Sequence, residues 1–481
     1  MPQNGFETVI GLEIHAQLLT KSKLFCGDST IFGDTPNSHV SAISLAHPGT
    51  LPVLNKEAVR LAIKLGVALD CTINQYNYFA RKHYFYPDLP NGYQISQNAA
   101  PICVGGAIPI ATATGIRHIA LNRIHLENDA GKSIHDADPE NTLIDLNRAG
   151  TALVEIVTEP VISSPEEASA CLAMVRSIVR HLGVCDGNME EGSLRCDVNI
   201  SVRKKGDSRL GTKVEIKNLN SVRNVKRAAT YEEARLTRMI ENGEEVLQQT
   251  RNFDADTGIT TALRTKEEAN DYRYFPDPDL PPIIVTSEEI EEIRKSLPLL
   301  PHEIAQELTH KYGLGQEASS IISGDDLLYH LFESASVLTG QHAALANWLI
   351  GPLKSLINEK GASSIEGITA PKLVSLAELT AQNSVSFATA AAKILPEILS
   401  GNEHDALAIA RKLNLLQVND TDALNEWIDQ VLARFPEKVL EYQKGKKSLT
   451  GFFAGEVKKL SKGKADIKSA MEILSQKLNK Q

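Results

Sequence analysis

Long apolar runs are missing from this 481-residue sequence. No segment approaches the roughly eighteen consecutive apolar residues of a membrane-spanning helix. The start, Met1-Pro2-Gln3-Asn4-Gly5-Phe6-Glu7, has neither the basic region nor the apolar stretch of an export signal. A soluble cytoplasmic protein without membrane attachment is expected. Cysteine is sparse as well: Cys26, Cys71, Cys103, Cys171, Cys185 and Cys196 are scattered and form no C-x-x-C pair. This excludes a disulfide scaffold and favours reduced, mostly buried thiols over a zinc or redox centre. Internal repeats and low-complexity tracts are absent. Two familiar catalytic signatures fail too. Ala130-Gly131-Lys132-Ser133 resembles the end of a phosphate-binding P-loop, but Leu126 stands where the first glycine must be. No G-x-S-x-G turn and no setting for a cysteine nucleophile are present.

What is there is ordinary globular chemistry, with 42% hydrophobic and 23% charged residues. The length predicts roughly two to four domains. The net charge of −10 argues against indiscriminate nucleic-acid binding, yet it averages over regions of different sign. From Glu441 to Gln481 there are ten lysines against four acidic residues, a local charge of +6. Lys446, Lys447, Lys458, Lys459, Lys462 and Lys464 in that stretch are candidate RNA contacts. Lysine–phosphate contacts give sequence-tolerant, salt-sensitive binding. A solvated lysine-rich helix end is the plainer alternative.

Residues 1 to about 290 mix short strands, turns and a few helices. Ser164-Pro165-Glu166-Glu167 is a capping box with proline at the first helical position, followed by an apolar stripe of Leu172, Val175, Val179 and Leu182. Asp277-Pro278-Asp279-Leu280-Pro281-Pro282 sustains neither helix nor central strand and reads as a boundary. Beyond it the pattern is helical: Leu424, Trp427, Ile428, Val431, Leu432 and Phe435 recur at spacings of three and four on one helix. Ser400-Gly401-Asn402-Glu403 suggests a further break. The fold class is therefore α+β, a mixed or antiparallel sheet followed by helices.

The chemistry lies on strands of period two. In Gly11-Leu12-Glu13-Ile14-His15-Ala16-Gln17 the acid and the imidazole share one face. Alone, such a pair is as well explained by a solvated strand. Arg123, His125, Glu127 and Asp129 repeat the phase, and Glu155 interrupts an apolar run where a half-buried carboxylate needs a cation or donors. Hard oxygen ligands with an imidazole suit Mg²⁺ or Mn²⁺, and carboxylates converging on such an ion are what a triphosphate site requires. Glu13, His15, Glu127, Asp129 and Glu155 are thus the candidate ligands of a metal–ATP site. Ser193, Arg195, Asp197, Asn199 and Ser201 form a polar row over an apolar one, and Lys213, Glu215 and Lys217 repeat the device. These rows offer cations to phosphate or to a developing acyl-phosphate. The competing reading is a salt-bridged surface sheet.

Longer blocks carry a resemblance. Glu7-Thr8-Val9-Ile10-Gly11-Leu12-Glu13-Ile14-His15, His47-Pro48-Gly49-Thr50-Leu51-Pro52, Arg81-Lys82-His83-Tyr84-Phe85-Tyr86-Pro87-Asp88 and Asp145-Leu146-Asn147-Arg148-Ala149-Gly150-Thr151 occur in order. Glu190-Glu191-Gly192-Ser193-Leu194-Arg195-Cys196-Asp197, Glu215-Ile216-Lys217-Asn218-Leu219-Asn220-Ser221 and Asp271-Tyr272-Arg273-Tyr274-Phe275-Pro276 follow. Together they resemble the GatB family, the B-type subunits of aspartyl/glutamyl-tRNA(Asn/Gln) amidotransferases. The resemblance implies a catalytic cradle domain over 1–292, a helical domain over 293–405 and a small tRNA-binding tail over 406–481. It implies ATP-dependent phosphorylation of the side-chain carboxylate of Glu-tRNA(Gln) or Asp-tRNA(Asn), and then displacement of phosphate by ammonia. It implies two partners: a GatA-type amidase that makes the ammonia, which explains the missing nucleophile, and a small GatC-type subunit.

Carried over residue by residue, Glu13 and His15 fall on the family's metal-binding strand, Glu127 and Asp129 in its acidic segment, and Glu155 in its E-I-V segment. Glu13, His15 and Glu155 are the catalytic candidates. Lys82, Arg195, Asp197 and Lys217 fall in matching blocks as candidates for holding ATP with Mg²⁺. Asn128 stands where a second glutamate is usual. Many members also carry C-x-C and C-x-x-C zinc ligands, but here the positions read Cys26-Gly27-Asp28 and Ser41-Ala42-Ile43-Ser44, so no structural zinc is expected. A silent scaffold that presents charged tRNA, or a free-standing amide ligase, would be the alternatives; the basic tail disfavours the latter.

Overall fold

In the computed structural model the chain is described over residues 5–112, 114–135, 138–265, 271–401, 405–416, 421–461 and 465–480. The α+β organisation is as expected, with strands confined to the first part and helices dominating the second. The chain divides into two compact units, Met1–Glu303 and Ile304–Gln481.

The strands of the first unit are, in chain order, β1 (Phe6–Gln17), β2 (Thr72–Ile73), β3 (Tyr76–Asn77), β4 (Ala80–His83), β5 (Tyr93–Ser96), β6 (Cys103–Val104), β7 (Ala107–Thr112), β8 (Gly115–Asn128) and β9 (Lys132–Ile134). After them come β10 (Leu143–Asp145), β11 (Ala152–Thr158), β12 (Leu194–Lys204), β13 (Val214–Leu219), β14 (Gln249–Phe253), β15 (Thr260–Thr265), β16 (Phe275–Pro276) and β17 (Ile283–Ile284). Ten of them form one sheet in the order β15-β14-β13-β12-β1-β11-β8-β6-β2, with β7 folded back on β8. Every pairing in it is antiparallel except β13 with β14, so the sheet is mixed.

β1 lies within this sheet, and its alternation assigns the two faces. Leu12, Ile14 and Ala16 are buried, whereas Glu13, His15 and Gln17 project to the other side. The apolar face is covered by three helices, α1 (Lys56–Ala68), α2 (Pro165–His181) and α3 (Val222–Glu241). In α2 the stripe Leu172, Val175, Val179 and Leu182 is buried, each side chain contributing about 1.5–3 kcal/mol. Ser164 caps this helix by accepting the Glu167 N–H at 3.2 Å. The reciprocal half of the expected box is displaced by one residue: the Glu167 carboxylate accepts from the Ser163 N–H at 2.8 Å and pairs with Arg117. The proline-rich stretch stays inside the first unit. There Asp277 is buried beneath Arg81 at 2.9 Å, and Leu280 joins the main core.

The second unit has two cores. One gathers residues from Ile304 to Ala410 around a buried Trp348, whose Nε1–H donates to Thr380 at 3.2 Å. Ala406, Ile409 and Ala410 belong to it. The other begins at Leu424, where helix Thr421–Arg434 buries Leu424, Ile428, Val431 and Leu432 and packs Trp427 against them, as its spacing predicts. Among the described residues no helix is long and apolar enough to cross a membrane.

Candidate functional site

The polar face of the sheet becomes a site through register. Antiparallel pairing sets His15 of β1 opposite Glu155 of β11 and opposite Arg195 of β12, and sets Glu155 opposite His125 of β8. One row, His125-Glu155-His15-Arg195, therefore crosses four strands. A pleat away, Glu13 lies opposite Asp197, and Asn199 lies opposite Glu215. Two candidate metal-holding groups result. Ligand atoms of His15, Glu127 and Glu155 lie within 4.8 Å of one another, and so do those of Glu13, Asp197 and Glu215. Both groups line a single cavity of about 620 Å³, within the range of nucleotide-sized sites.

The electrostatics of the first group are those of carboxylates sharing protons with two imidazoles. The His125 Nε2 is 3.2 Å from Glu155 and 3.6 Å from Glu127, and the His15 Nε2 is 3.6 Å from Glu155 and 3.8 Å from Glu127. Burial would depress His125, but its hydrogen bonds to the two carboxylates outweigh that and raise it to about 9. His15 is raised by the same balance, burial opposing Glu155 and Glu127. Burial would raise Glu155; the two imidazoles hold it well below the usual carboxylate range. In the second group Glu13 accepts from Asn199 at 2.9 Å, and Lys217 pairs with Asp197 at 2.5 Å and Glu215 at 3.0 Å.

Of the buried polar atoms that lack partners among the described residues, two lie on this face of the sheet and point to what is held. The Arg195 Nε has no acceptor, although the same guanidinium donates to Asp129 at 2.8 Å. The Asn199 Oδ1, beside Glu13, has no donor. An anion answers the first and a cation the second. A carboxylate-rich set with one imidazole suits Mg²⁺ or Mn²⁺, so the residues fit the group.

The structure brings together most of the residues singled out from sequence and separates two. Glu13 falls with Asp197 and Glu215 rather than with His15. Asp129 is neutralised by Arg195 and by Arg148 at 3.7 Å, accepts from the Gln17 amide at 2.8 Å, and belongs to neither group. Lys82 lines the cavity over the Tyr272 ring at 4.8 Å and has no ion-pair partner among the described residues. Sequence reasoning misses His125 as a site residue, although it shares the two-residue phase of Arg123 and Glu127. Lys217 reaches Asp197 because a bulge shifts the register between Cys196 and Val198, with Asn218 at φ 66°.

Residues 8–291 match the GatB/GatE catalytic domain family, and residues 330–478 match the GatB domain family. A protein of Thermodesulfovibrio yellowstonii, named as the B-type subunit of an aspartyl/glutamyl-tRNA(Asn/Gln) amidotransferase, is 47% identical over 98% of each chain. Proteins of the same name from Rickettsia bellii and Nitratidesulfovibrio vulgaris are 48% and 44% identical, each over 98% of this chain and over 98% and 99% of their own. The chain belongs to the GatB family. The similarity runs through the tail, where the candidate lysines of this GatB member fare differently. Lys446 pairs with Glu441 at 3.0 Å, Lys459 pairs with Glu456 at 2.6 Å, and Lys447 sits over Tyr442 at 4.1 Å. Lys458 is exposed, whereas Lys462 and Lys464 lie outside the described residues. At the positions where many GatB members carry zinc ligands, the Asp28 carboxylate accepts from the Ser41 N–H at 2.9 Å and from the Ser44 hydroxyl, and Cys26 lies 3.4 Å from Ser44.

Proposed function

We propose that the cavity of this GatB subunit activates the side-chain carboxylate of Glu-tRNA(Gln) or Asp-tRNA(Asn) with ATP and Mg²⁺ and then passes it to ammonia. The observation that carries the reading is the pair of ligand groups, His15-Glu127-Glu155 and Glu13-Asp197-Glu215, on one covered sheet. In the reaction a substrate carboxylate oxygen attacks the γ-phosphorus, the bond to the β-phosphate oxygen breaks, and ADP leaves. Ammonia nitrogen then adds to the acyl carbon, the bond to the phosphate oxygen breaks, and the proton lost by nitrogen leaves with inorganic phosphate. Mg²⁺ held by the two groups would neutralise phosphate charge. Lys82, with no ion-pair partner among the described residues, meets the transferring phosphoryl group, and the orphan Arg195 N–H faces the same anion. Lys217 holds Asp197 and Glu215 in register for the ion.

Ammonia comes from a partner amidase of the GatA type, joined through a GatC-type subunit in a cytoplasmic heterotrimer. Supporting this, burial raises all six cysteines above their ordinary value, Cys71, Cys171 and Cys185 to about 12, which disfavours the thiolate form a nucleophile needs. The tail lysines Lys446, Lys447, Lys458 and Lys459, with Lys462 and Lys464, hold the tRNA backbone. The test is kinetic. In the complete complex Glu13→Gln and His15→Ala should abolish amidation, and Lys82→Ala and Arg195→Ala should lower it by about 10²- to 10³-fold, the effect of losing one preorganised donor. Amidation near wild type at limiting Mg²⁺ in the first two variants would refute the metal groups.

A further inference from the structure

One side of the cavity is aromatic. Tyr84, Tyr272 and Tyr274 line it, packed edge to face with ring centroids 6.2 Å and 6.0 Å apart along the series and interplanar angles of 70°, and Lys82 lies over the middle ring. This wall is held from behind. β16 pairs with β4, setting Phe275 opposite Arg81, and the His83 N–H donates to the Tyr272 carbonyl at 3.0 Å. On the far side of the strap His83 stacks on Phe275 at 5.1 Å, and Arg81 lies over Tyr93 at 4.5 Å. Arg81 also clamps Asp277 at 2.9 Å and Asp279 at 2.7 Å. Alternate residues of the two segments thus serve different sides: Arg81, His83 and Phe275 lock the strap down, while Lys82, Tyr84, Tyr272 and Tyr274 are presented to the cavity.

The hydroxyls of a tyrosine row can donate to phosphate, but the row also presents aromatic rings to the cavity. The chemistry of those rings is that of a stacking surface, since the π-face of a nucleobase is its natural complement. We propose that Tyr84, Tyr272 and Tyr274 form a stacking subsite for adenine, carried by a ligand whose reacting end reaches Glu127 and Glu155. This rests on the function proposed above, in which two substrates carry an adenine: ATP, and the 3′-terminal adenosine that bears the amino acid. In both, the sugar and phosphate or ester link the base to the reacting atoms. Lys82, over the Tyr272 ring and in the same cavity as the two carboxylates, would meet that link.

The experiment separates the two sources. In the complete complex, Tyr272→Leu and Tyr274→Leu are compared with Tyr272→Phe and Tyr274→Phe, with KM for ATP and for Glu-tRNA(Gln) measured separately. Loss of one stacking ring should raise KM by roughly tenfold or more. The substrate whose KM moves is the one whose adenine stacks, and a rise in either supports the subsite. The phenylalanine variants, which keep the ring, should restore that KM to within about twofold. Leucine variants with both KM values unchanged would overturn the proposal. So would phenylalanine variants as impaired as the leucine ones, because the hydroxyl and not the ring would then matter. Absence of ATP-dependent amidation in the wild-type complex would instead sink the parent reading, so the two failures are distinguishable.

Discussion

At the residue scale the most informative group is His125. Its imidazole is 3% exposed and faces two carboxylates, so it carries a proton through neutral pH. A histidine whose folded value is raised stabilises the fold fully below its ordinary value of 6.5, and that contribution is lost as the pH climbs through about 9. Glu155 acts in the opposite sense. Its depressed value stabilises above the usual carboxylate range and fades on acidification. The metal-free protein should therefore melt highest between these limits and lose stability from about pH 6.5 to 9. Because a proton and a cation compete for His15, whose value is raised as well, Mg²⁺ affinity should rise with pH. Melting curves with and without Mg²⁺ across this range check both trends; a flat metal-free profile would contradict them.

At the element scale, the strand periods make the polar faces of β1, β8, β11 and β12 legible, and with them Glu13, His15, Glu127 and Glu155. What period two cannot supply is the register between strands far apart in sequence. The alternation therefore groups Glu13 with His15, two residues away, although pairing with β12 sends it to Asp197. Asp129 likewise continues the alternation of Glu127 but is drawn off by Arg195 and Arg148. The segment Ala130-Gly131-Lys132-Ser133 has a physical account too. A Cβ at Gly131 would meet the Asp145 carbonyl oxygen at 2.8 Å and that of Asp88 at 3.0 Å, so glycine is required by close backbone approach rather than by phosphate. Arg148 closes this loop by donating to the Ala130 and Gly131 carbonyls at 2.9 and 2.6 Å. Gly131→Ala should cost about 1–3 kcal/mol in denaturant unfolding. A cost below a few tenths would show that the loop yields easily.

At the scale of the whole molecule, an acidic chain carries one strongly basic end, and its cores show where that end can be detached. A cut at residue 405 would strip Ala406, Ile409 and Ala410 from the core that ends there. Removal of 421–481 respects it, because the last core begins at Leu424. In the complete complex this truncation should raise the KM for mischarged tRNA by roughly tenfold or more, on the order of a few lost phosphate contacts, and flatten its salt dependence. Ammonia-dependent amidation should persist at saturating tRNA. Unchanged affinity at low and moderate salt would show the lysines to be solvated surface.

The central claim is that the tRNA-borne carboxylate is phosphorylated in the cavity before it meets ammonia. Glu-tRNA(Gln) labelled with ¹⁸O in both side-chain carboxylate oxygens tests it directly, by mass analysis of the phosphate released during amidation by the complete complex. The account predicts one ¹⁸O in each inorganic phosphate per amide formed, with labelled phosphate disappearing in His15→Ala. Amide formed alongside unlabelled phosphate would contradict it, because the carboxylate oxygen would then never have been bonded to phosphorus.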